Sequence, residues 1–466
     1  MKITKRKVCL FTAAVALLFL TTLCTFVFWY LWAGRDVFAA YSAKIMASGV
    51  FVAGRTPESI AAQELAILPL LRYTVDRENQ TVTARVFGSA PKTAVYRDGL
   101  GAALAHDGDI EALRQQARPE LTAVTQPDIK EMPWPTGDGP SGNPRPPGID
   151  EARLAAAVDG FFDRPSRFLK RHTRALIVVY KDEIVAERYA DGFDANQRFS
   201  AWSMTKSVFH ALYGIAVKQG KLSVDAPIPF WRDLDDPRSE VTVDMLLRMS
   251  GGLDYNEFEL FPPMALTTML FLQPGAGDYA AALPLLHPPD TVWHYASAST
   301  NILSRALREI YGDDAYYALP WQELFSKTGM TSAIIEADAT GTFVGSSFMY
   351  ATARDYARFG LLYLHDGVWQ GERILPEGWA AYGRTPTHTA SGNYGAHWWL
   401  IAGDEELQNG TGSQTLPNDI FVASGFEGQF IVIIPSRSLV IVHLNLDLLY
   451  HSPVPLIHNI LAALPE

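Results

Sequence analysis

Three kinds of hydrophobic patterning divide this chain. Positions 8–34 form an apolar run without a single charged residue, long enough to cross a bilayer as one helix. Residues 81–87 (TVTARVF) alternate in the period of a half-buried strand, with a second candidate at 93–97, while 59–68 (SIAAQELAIL) repeats at helical spacing before a proline. Beyond residue 150 the pattern becomes dense and regular. Residues 151–162 read as an amphipathic helix, and 175–180 with 184–189 as the arms of an antiparallel hairpin. Three further strands are predicted at 420–423, 430–434 and 439–444, with helices between the two groups. Strands at both ends of a helical stretch predict an α/β domain of the α+β type. Its sheet is mainly antiparallel, joins the first strands to the last, and is flanked by helices with a helical subdomain.

Residues 132–149 hold six prolines and four glycines, which excludes both helix and ladder and marks the clearest boundary in the chain. The expected organisation is therefore 1–34 as cytoplasmic N-terminus and membrane anchor, 35–132 as a small accessory region, 133–150 as a Pro/Gly-rich linker or packed loop, and 151–466 as the catalytic domain. The apolar run follows Lys2, Lys5, Arg6 and Lys7 and ends in bulky aromatics at 26–32 (FVFWYLW), where a cleaved leader would carry small residues. It reads as a retained single-pass anchor of the inner membrane with the N-terminus in the cytoplasm and the remainder exported to the periplasmic side. The alternative cleavage point is Ala39-Ala40. Both cysteines, Cys9 and Cys24, fall inside the run, so the exported part has no disulfide, cysteine nucleophile or cysteine-bound zinc.

Chemistry concentrates at Ser203-Met204-Thr205-Lys206. If Ser203 opens a helix, Lys206 lies one turn on along the same face, its amine beside the hydroxyl. Burial that keeps the amine partly neutral makes it a base, and the serine N–H at a helix start is free to hold an oxyanion. Residues 207–222 continue with apolar positions at helical spacing, so this helix is expected to be buried. Tyr295, ahead of a helical run at 299–310, is the candidate proton relay, with Ser297 two residues on. The stretch Ala423-Ser424-Gly425-Phe426-Glu427-Gly428-Gln429 offers small residues on an edge strand and a second oxyanion donor at Phe426 N–H. Gly425, Glu427, Ser297 and Trp399 are the candidate substrate-binding residues.

These three motifs, in this order, resemble the β-lactamase-related serine hydrolases: class C β-lactamases, penicillin-binding D-Ala-D-Ala peptidases, related esterases and 6-aminohexanoate-dimer hydrolases. Residues 242–253 (TVDMLLRMSGGL) and 348–364 (FMYATARDYARFGLLYL), with Tyr394-Gly395 and Trp398-Trp399, are similar to further landmarks of the group. The resemblance covers about two-thirds of the chain. Tyr295-x-Ser297 with Gly425-x-x-Gly428-Gln429 is nearest to the 6-aminohexanoate-dimer hydrolase branch. It implies a penicillin-binding-protein-like fold and an acyl-enzyme on Ser203. Two departures bear on substrate: Ala423-Ser424-Gly425 lacks the Lys or His of the usual third motif, and Ser297 stands where class C enzymes carry Asn. Both favour a small linear amide or ester over a penicillin. The alternatives are a peptidoglycan D,D-peptidase or β-lactamase and a non-catalytic tethered binding protein.

The remaining features narrow the field. A net charge of −11 with no basic run after the N-terminus excludes a nucleic-acid partner. No Gly-x-Ser-x-Gly or His-Glu-x-x-His occurs, so neither an α/β-hydrolase nor a metal site is expected, and no cofactor is required. His294, His388 and His397 read as structural. Asp254, Glu257 and Glu259 read as a solvated loop near the substrate entrance.

Overall fold

The apolar run is helical, and the helix does not stop where charges return. The computed structural model describes residues 5–465 apart from 69, 107, 119, 122–128, 163–171, 260–261, 263, 402–415 and 448–451, with backbone alone at 5–10. In it, α1 (Lys5–Ala47) runs through Arg35 and Asp36 as one 43-residue helix. It is long and apolar enough to cross a membrane. Its two halves live in different surroundings: Phe11 to Trp32 is largely exposed, whereas Val37, Ala39, Ala40, Ala43, Met46 and Ala47 are buried.

The elements used below follow in chain order. Strands β1 (Arg72–Asp76), β2 (Thr81–Arg85), β3 (Lys92–Arg97) and β4 (Gly101–Leu104) form an antiparallel sheet in sequential order. Then come α2 (Glu151–Phe162), β5 (Ala175–Tyr180), β6 (Glu183–Tyr189), α3 (Met204–Lys218), α4 (Ser297–Tyr311) and α5 (Ala353–Leu364). The chain closes with β7 (Trp399–Leu400), β8 (Phe421–Gly425), β9 (Gln429–Ile434), β10 (Leu439–Leu444) and α6 (Val454–Leu461). The helix expected at 59–68 is only the single short helix Pro57–Ala62, capped by Thr56.

The larger sheet has the order β7-β8-β9-β10-β5-β6, all antiparallel, so the last long strand pairs with the first as the pattern of the ends requires. Side chains alternate across it. Ala175, Ile177 and Val179 join Ile431, Ile433, Val440 and Val442 in the main core. Leu176, Val178 and Tyr180 join Val432, Ile434 and Ile441 in a second core with Leu154 and Val158 of α2 and Leu456, Ile457 and Ile460 of α6. Helix α5 lies on the main face so closely that a Cβ at Gly360 would fall 2.5 Å from Val440 Cγ1. The result is a sheet between two helical layers, with α3 held deep in the larger one.

Residues 133–150 are packed against this body and do not stand off as a linker. Trp134 is buried and its indole N–H donates to Asp182 O at 2.7 Å, while Arg358 donates to Pro135 O, Gly137 O and Asp138 Oδ1. Proline-rich backbone has too few ladder partners, and the guanidiniums of Arg358 and Arg354 supply donors to its carbonyls.

The four-stranded sheet and the inner half of α1 meet the main body through buried charge. Glu336 accepts from Lys44 Nζ, from Ser48 Oγ at 2.9 Å and from Ala102 N at 2.7 Å, and both charged side chains are almost wholly buried. Arg97 donates to Asp338 O at 2.9 Å and to Ala337 O. Glu336→Ala leaves the Lys44 ammonium buried without its counter-charge, and the expected loss is about 3–5 kcal/mol of unfolding free energy. Denaturant unfolding of the full chain in detergent measures it. A loss near zero would mean that Lys44 reaches water when Glu336 is gone.

Candidate active site

Ser203 sits at the start of α3, and the turn before it is strained. Trp202 adopts φ +46°, in the left-handed region that a bulky residue enters only when its surroundings demand it. Its indole is buried, donates to Glu427 Oε2 at 2.9 Å and meets the Phe426 ring edge-on at 5.5 Å. These contacts hold the turn that aims Ser203.

Lys206 lies one helical turn on, as the three-residue spacing predicts. Its Nζ donates to Ser203 Oγ at 3.0 Å, Ser297 Oγ at 3.0 Å and the Ser346 carbonyl at 2.9 Å. The residue is 2% exposed, and its three partners are all neutral. Burial therefore lowers the Lys206 ammonium to about 8, with the charge of Glu257 pulling the other way. Ser346 is held in turn by Asn301, whose amide donates to Ser346 Oγ at 3.1 Å and accepts from Ser346 N at 3.2 Å.

Tyr295 is brought to the same point from the loop before α4. Its hydroxyl is near enough to Ser203 to be influenced by it, and its ring centre lies 5.0 Å from Lys206 Nζ. Burial and then the Glu257 charge raise the phenol, against the lowering effect of Ser203, so it is protonated at neutral pH. Around it stand Trp399 at 5.2 Å, Tyr394 at 6.0 Å and Phe258 at 6.3 Å between ring centres. Phe258 is 71% and Phe426 50% exposed, so the surface bordering Tyr295 and the Trp202 turn is aromatic. Trp398, the other half of the Trp-Trp pair, is fully buried core.

Strand β8 passes directly behind the Ser203 turn. A Cβ on Gly425 would fall 2.3 Å from Ala201 O and 3.3 Å from Ser203 N, so only glycine allows this approach. Phe426, the next residue, follows at the strand end with its ring against Trp202, and Ser203 N–H, as the N-cap, has no intrahelical partner.

The site departs from the sequence reading at two residues. Glu427, expected among the substrate contacts, has φ +66° and is 4% exposed. Its carboxylate faces a cavity of about 30 Å³ lined by Arg55, Glu64, Arg174 and Trp202, room for about one or two waters. Burial raises this carboxyl to about 7, opposed by Arg174 and the Trp202 hydrogen bond. It props the Ser203 turn from behind through Trp202. Glu257, read as solvated loop, accepts from Ser297 N at 2.8 Å and Ser297 Oγ at 2.7 Å. It caps α4 from a distant loop and orients the hydroxyl that Lys206 touches. Neither Glu257 nor Ser346 has a spacing signal, because the contacts join residues 40 and 140 positions apart.

His397 is structural, as expected. Its Nδ1–H donates to Leu247 O at 2.7 Å and Nε2 pairs with Thr300 Oγ1 at 2.9 Å, and burial holds it neutral, lowered to about 3. Among the described residues no cluster of His, Cys, Asp and Glu could hold a metal ion.

Half-buried Ser203 meets buried Lys206 and Tyr295 beside an antiparallel sheet, and comparison with known proteins gives the class of that fold. The Beta-lactamase family matches residues 163–445, more than half of the chain, and the protein belongs to that family. The 6-aminohexanoate-dimer hydrolase of Paenarthrobacter ureafaciens is 25% identical over 308 residues, 58% of this chain and 75% of that one. A penicillin-binding protein homologue from Caulobacter crescentus shares the fold at a TM-score of 0.52 and 16% identity, over 68% of this chain and 99% of that one. A family VIII carboxylesterase does so at a TM-score of 0.51 and 14% identity, over 68% and 99%.

Proposed function

We propose that the protein is a membrane-anchored, exported serine hydrolase that cleaves a small linear amide or ester through an acyl-enzyme. The observation that carries this reading is Lys206 Nζ, buried among neutral partners and 3.0 Å from Ser203 Oγ. An amine lowered to about 8 is neutral in roughly one-tenth of molecules at pH 7, far more than an ordinary lysine, whereas the raised phenol of Tyr295 keeps its proton. The first base is therefore Lys206. Ser203 Oγ gives its proton to Nζ and bonds to the substrate carbonyl carbon. The oxyanion is held by Ser203 N–H and Phe426 N–H, each contributing on the order of 10²–10³ in rate. Tyr295 donates to the departing nitrogen or oxygen as the C–N or C–O bond breaks, and recovers a proton from Lys206. Water then attacks the acyl carbon, its proton passing to the Tyr295–Lys206 pair and back to Ser203 Oγ as the ester opens.

The substrate class follows from the rim. Ala423, Ser424 and Gly425 provide no cation for a carboxylate, while Phe258, Phe426 and Trp399 offer an aromatic wall to an apolar chain. The curated relative acts on a 6-aminohexanoate dimer by its name, and the Ser203, Lys206 and Tyr295 arrangement of this chain suits a similar linear bond. The anchored reading is supported by α1. Cleavage at Ala39-Ala40 would cut a continuous helix inside the protein core, where both residues are buried.

The rate of labelling by a fluorophosphonate is expected to rise with pH through about 8, because only neutral Lys206 accepts the Ser203 proton and raising the pH removes its own. A rate flat from pH 6 to 9 would mean that another group is the base. A panel of linear amides, linear esters and lactams then separates the readings: preferred turnover of lactams or D-Ala-D-Ala peptides would favour the peptidoglycan enzyme instead.

A further inference from the structure

The end of the four-stranded sheet beside α1 differs in chemistry from its other end. The register pairs Arg72 with Arg85, so Leu70 and Leu71 approach Val86 and Phe87 as the two strands leave the ladder. Ile67 is 62% and Leu70 70% exposed, although each is a large apolar side chain. Phe87 packs against the anchor helix, edge-on to Phe28 at 5.6 Å and to Trp32 at 6.5 Å, and a Cβ on Gly88 would lie 3.5 Å from the Trp32 ring. Just inside this apolar tip, Arg72 and Arg85 are exposed, and the Arg35 guanidinium lies over the Trp32 ring at 4.4 Å. The opposite end is the turn after Asp76, where exposed Arg77, Glu78, Asn79 and Gln80 carry no apolar surface.

Single exposed apolar residues mean little. Here they are placed at one level of one helix. From Phe11 to Trp32, α1 is about 33 Å long at ~1.5 Å per residue, close to the ~30 Å hydrocarbon thickness of a bilayer. Trp29 and Trp32 then fall at the interface, where indoles are favoured, and arginines beside them reach the phosphates with their stems in the apolar layer. Phe87 touches Trp32 at that level, so the tip carrying Ile67 and Leu70 faces the lipid surface.

We propose that Ile67, Leu70 and Phe87, ringed by Arg72 and Arg85, form a second membrane contact: a foot seated on the anionic bilayer that α1 enters. This rests on the anchored reading of α1. Because the sheet is joined to the catalytic body through Glu336 and Arg97, the foot fixes the height and tilt of the active site above the membrane.

The test uses the full chain with Cys9→Ser and Cys24→Ser, reconstituted in vesicles of phosphatidylcholine and phosphatidylglycerol. A nitroxide is attached singly at Phe19→Cys, Leu70→Cys or Glu78→Cys, and its collision with oxygen and with a water-soluble nickel chelate is compared. Labels at 19 and 70 are expected to meet oxygen and avoid nickel, and the label at 78 to meet nickel freely. A label at 70 as open to nickel as that at 78, with 19 in lipid, overturns the foot alone. A label at 19 in water overturns the anchor and the foot with it. In phosphatidylcholine alone the label at 70 is expected to sit shallower, and an unchanged depth would remove the arginines from the contact.

Discussion

Ser203→Ala is expected to abolish the fluorophosphonate adduct and all turnover while leaving the unfolding transition of the chain in place. The stability half of this expectation follows from what surrounds the hydroxyl. When Ser203 Oγ is removed, Lys206 Nζ still has Ser297 Oγ and the Ser346 carbonyl, so no buried ammonium is orphaned. Trp202 keeps its bond to Glu427, so the turn keeps its shape. The activity half follows from chemistry: among the described residues no other hydroxyl lies both at the start of α3 and against the lysine. Intact-mass spectrometry after labelling reads the outcome directly. A single adduct lost in the variant establishes Ser203 as the nucleophile. An adduct that survives would place the reactive group elsewhere, with Ser297 the first residue to examine, and the absence of any adduct on folded wild-type protein would favour a tethered binding protein.

Tyr295→Phe should lower amide turnover by roughly 10²–10⁴, the usual range for loss of general acid–base help. The variant keeps the ring against Trp399, Tyr394 and Phe258 and under Lys206 Nζ, and loses the hydroxyl alone. Two leaving groups separate a relay from mere packing. Fluoride departs without a proton, so labelling by a fluorophosphonate should slow far less than hydrolysis of an amide, whose nitrogen must be protonated to leave. Equal slowing of both would point to a displaced Ser203, and full amide activity would end the relay assignment.

The parts of this site differ in how local they are, and that decides which were legible beforehand. Ser203 and Lys206 are three residues apart on one helix, so their contact follows from helical geometry. The hairpin β5–β6 and the strands β8 to β10 were visible as β-branched runs, and a sheet that pairs its last strand with its first follows from having strands at both ends. Glu427 shows the opposite case. Its neighbours in sequence are a glycine and an oxyanion candidate, which suggested a pocket residue, yet φ +66° turns its side chain behind Trp202 into a cavity shared with Arg55, Glu64 and Arg174. Charges at Arg35 and Asp36 suggested that the first helix ended there. It continues because the core shelters its next three turns, with Ala39, Ala40 and Ala43 small enough to pack closely.

By itself, the order of residues determined that Ser203 and Lys206 meet on one helix face, the antiparallel sheet with its flanking helices, the apolar helix at the start and the absence of a third-motif cation. Each depends on neighbours within a turn or a strand, where backbone geometry dictates which side chains meet. Only the tertiary structure decided that Glu257 and Ser346 orient the Ser297–Lys206 contact, that Glu427 supports the turn and does not face the cleft, and that the proline-rich segment and the inner half of α1 belong to the folded body. Those contacts join residues far apart in the chain, and burial selects them. Lys44 and Glu336, buried together, need each other because neither charge can reach water.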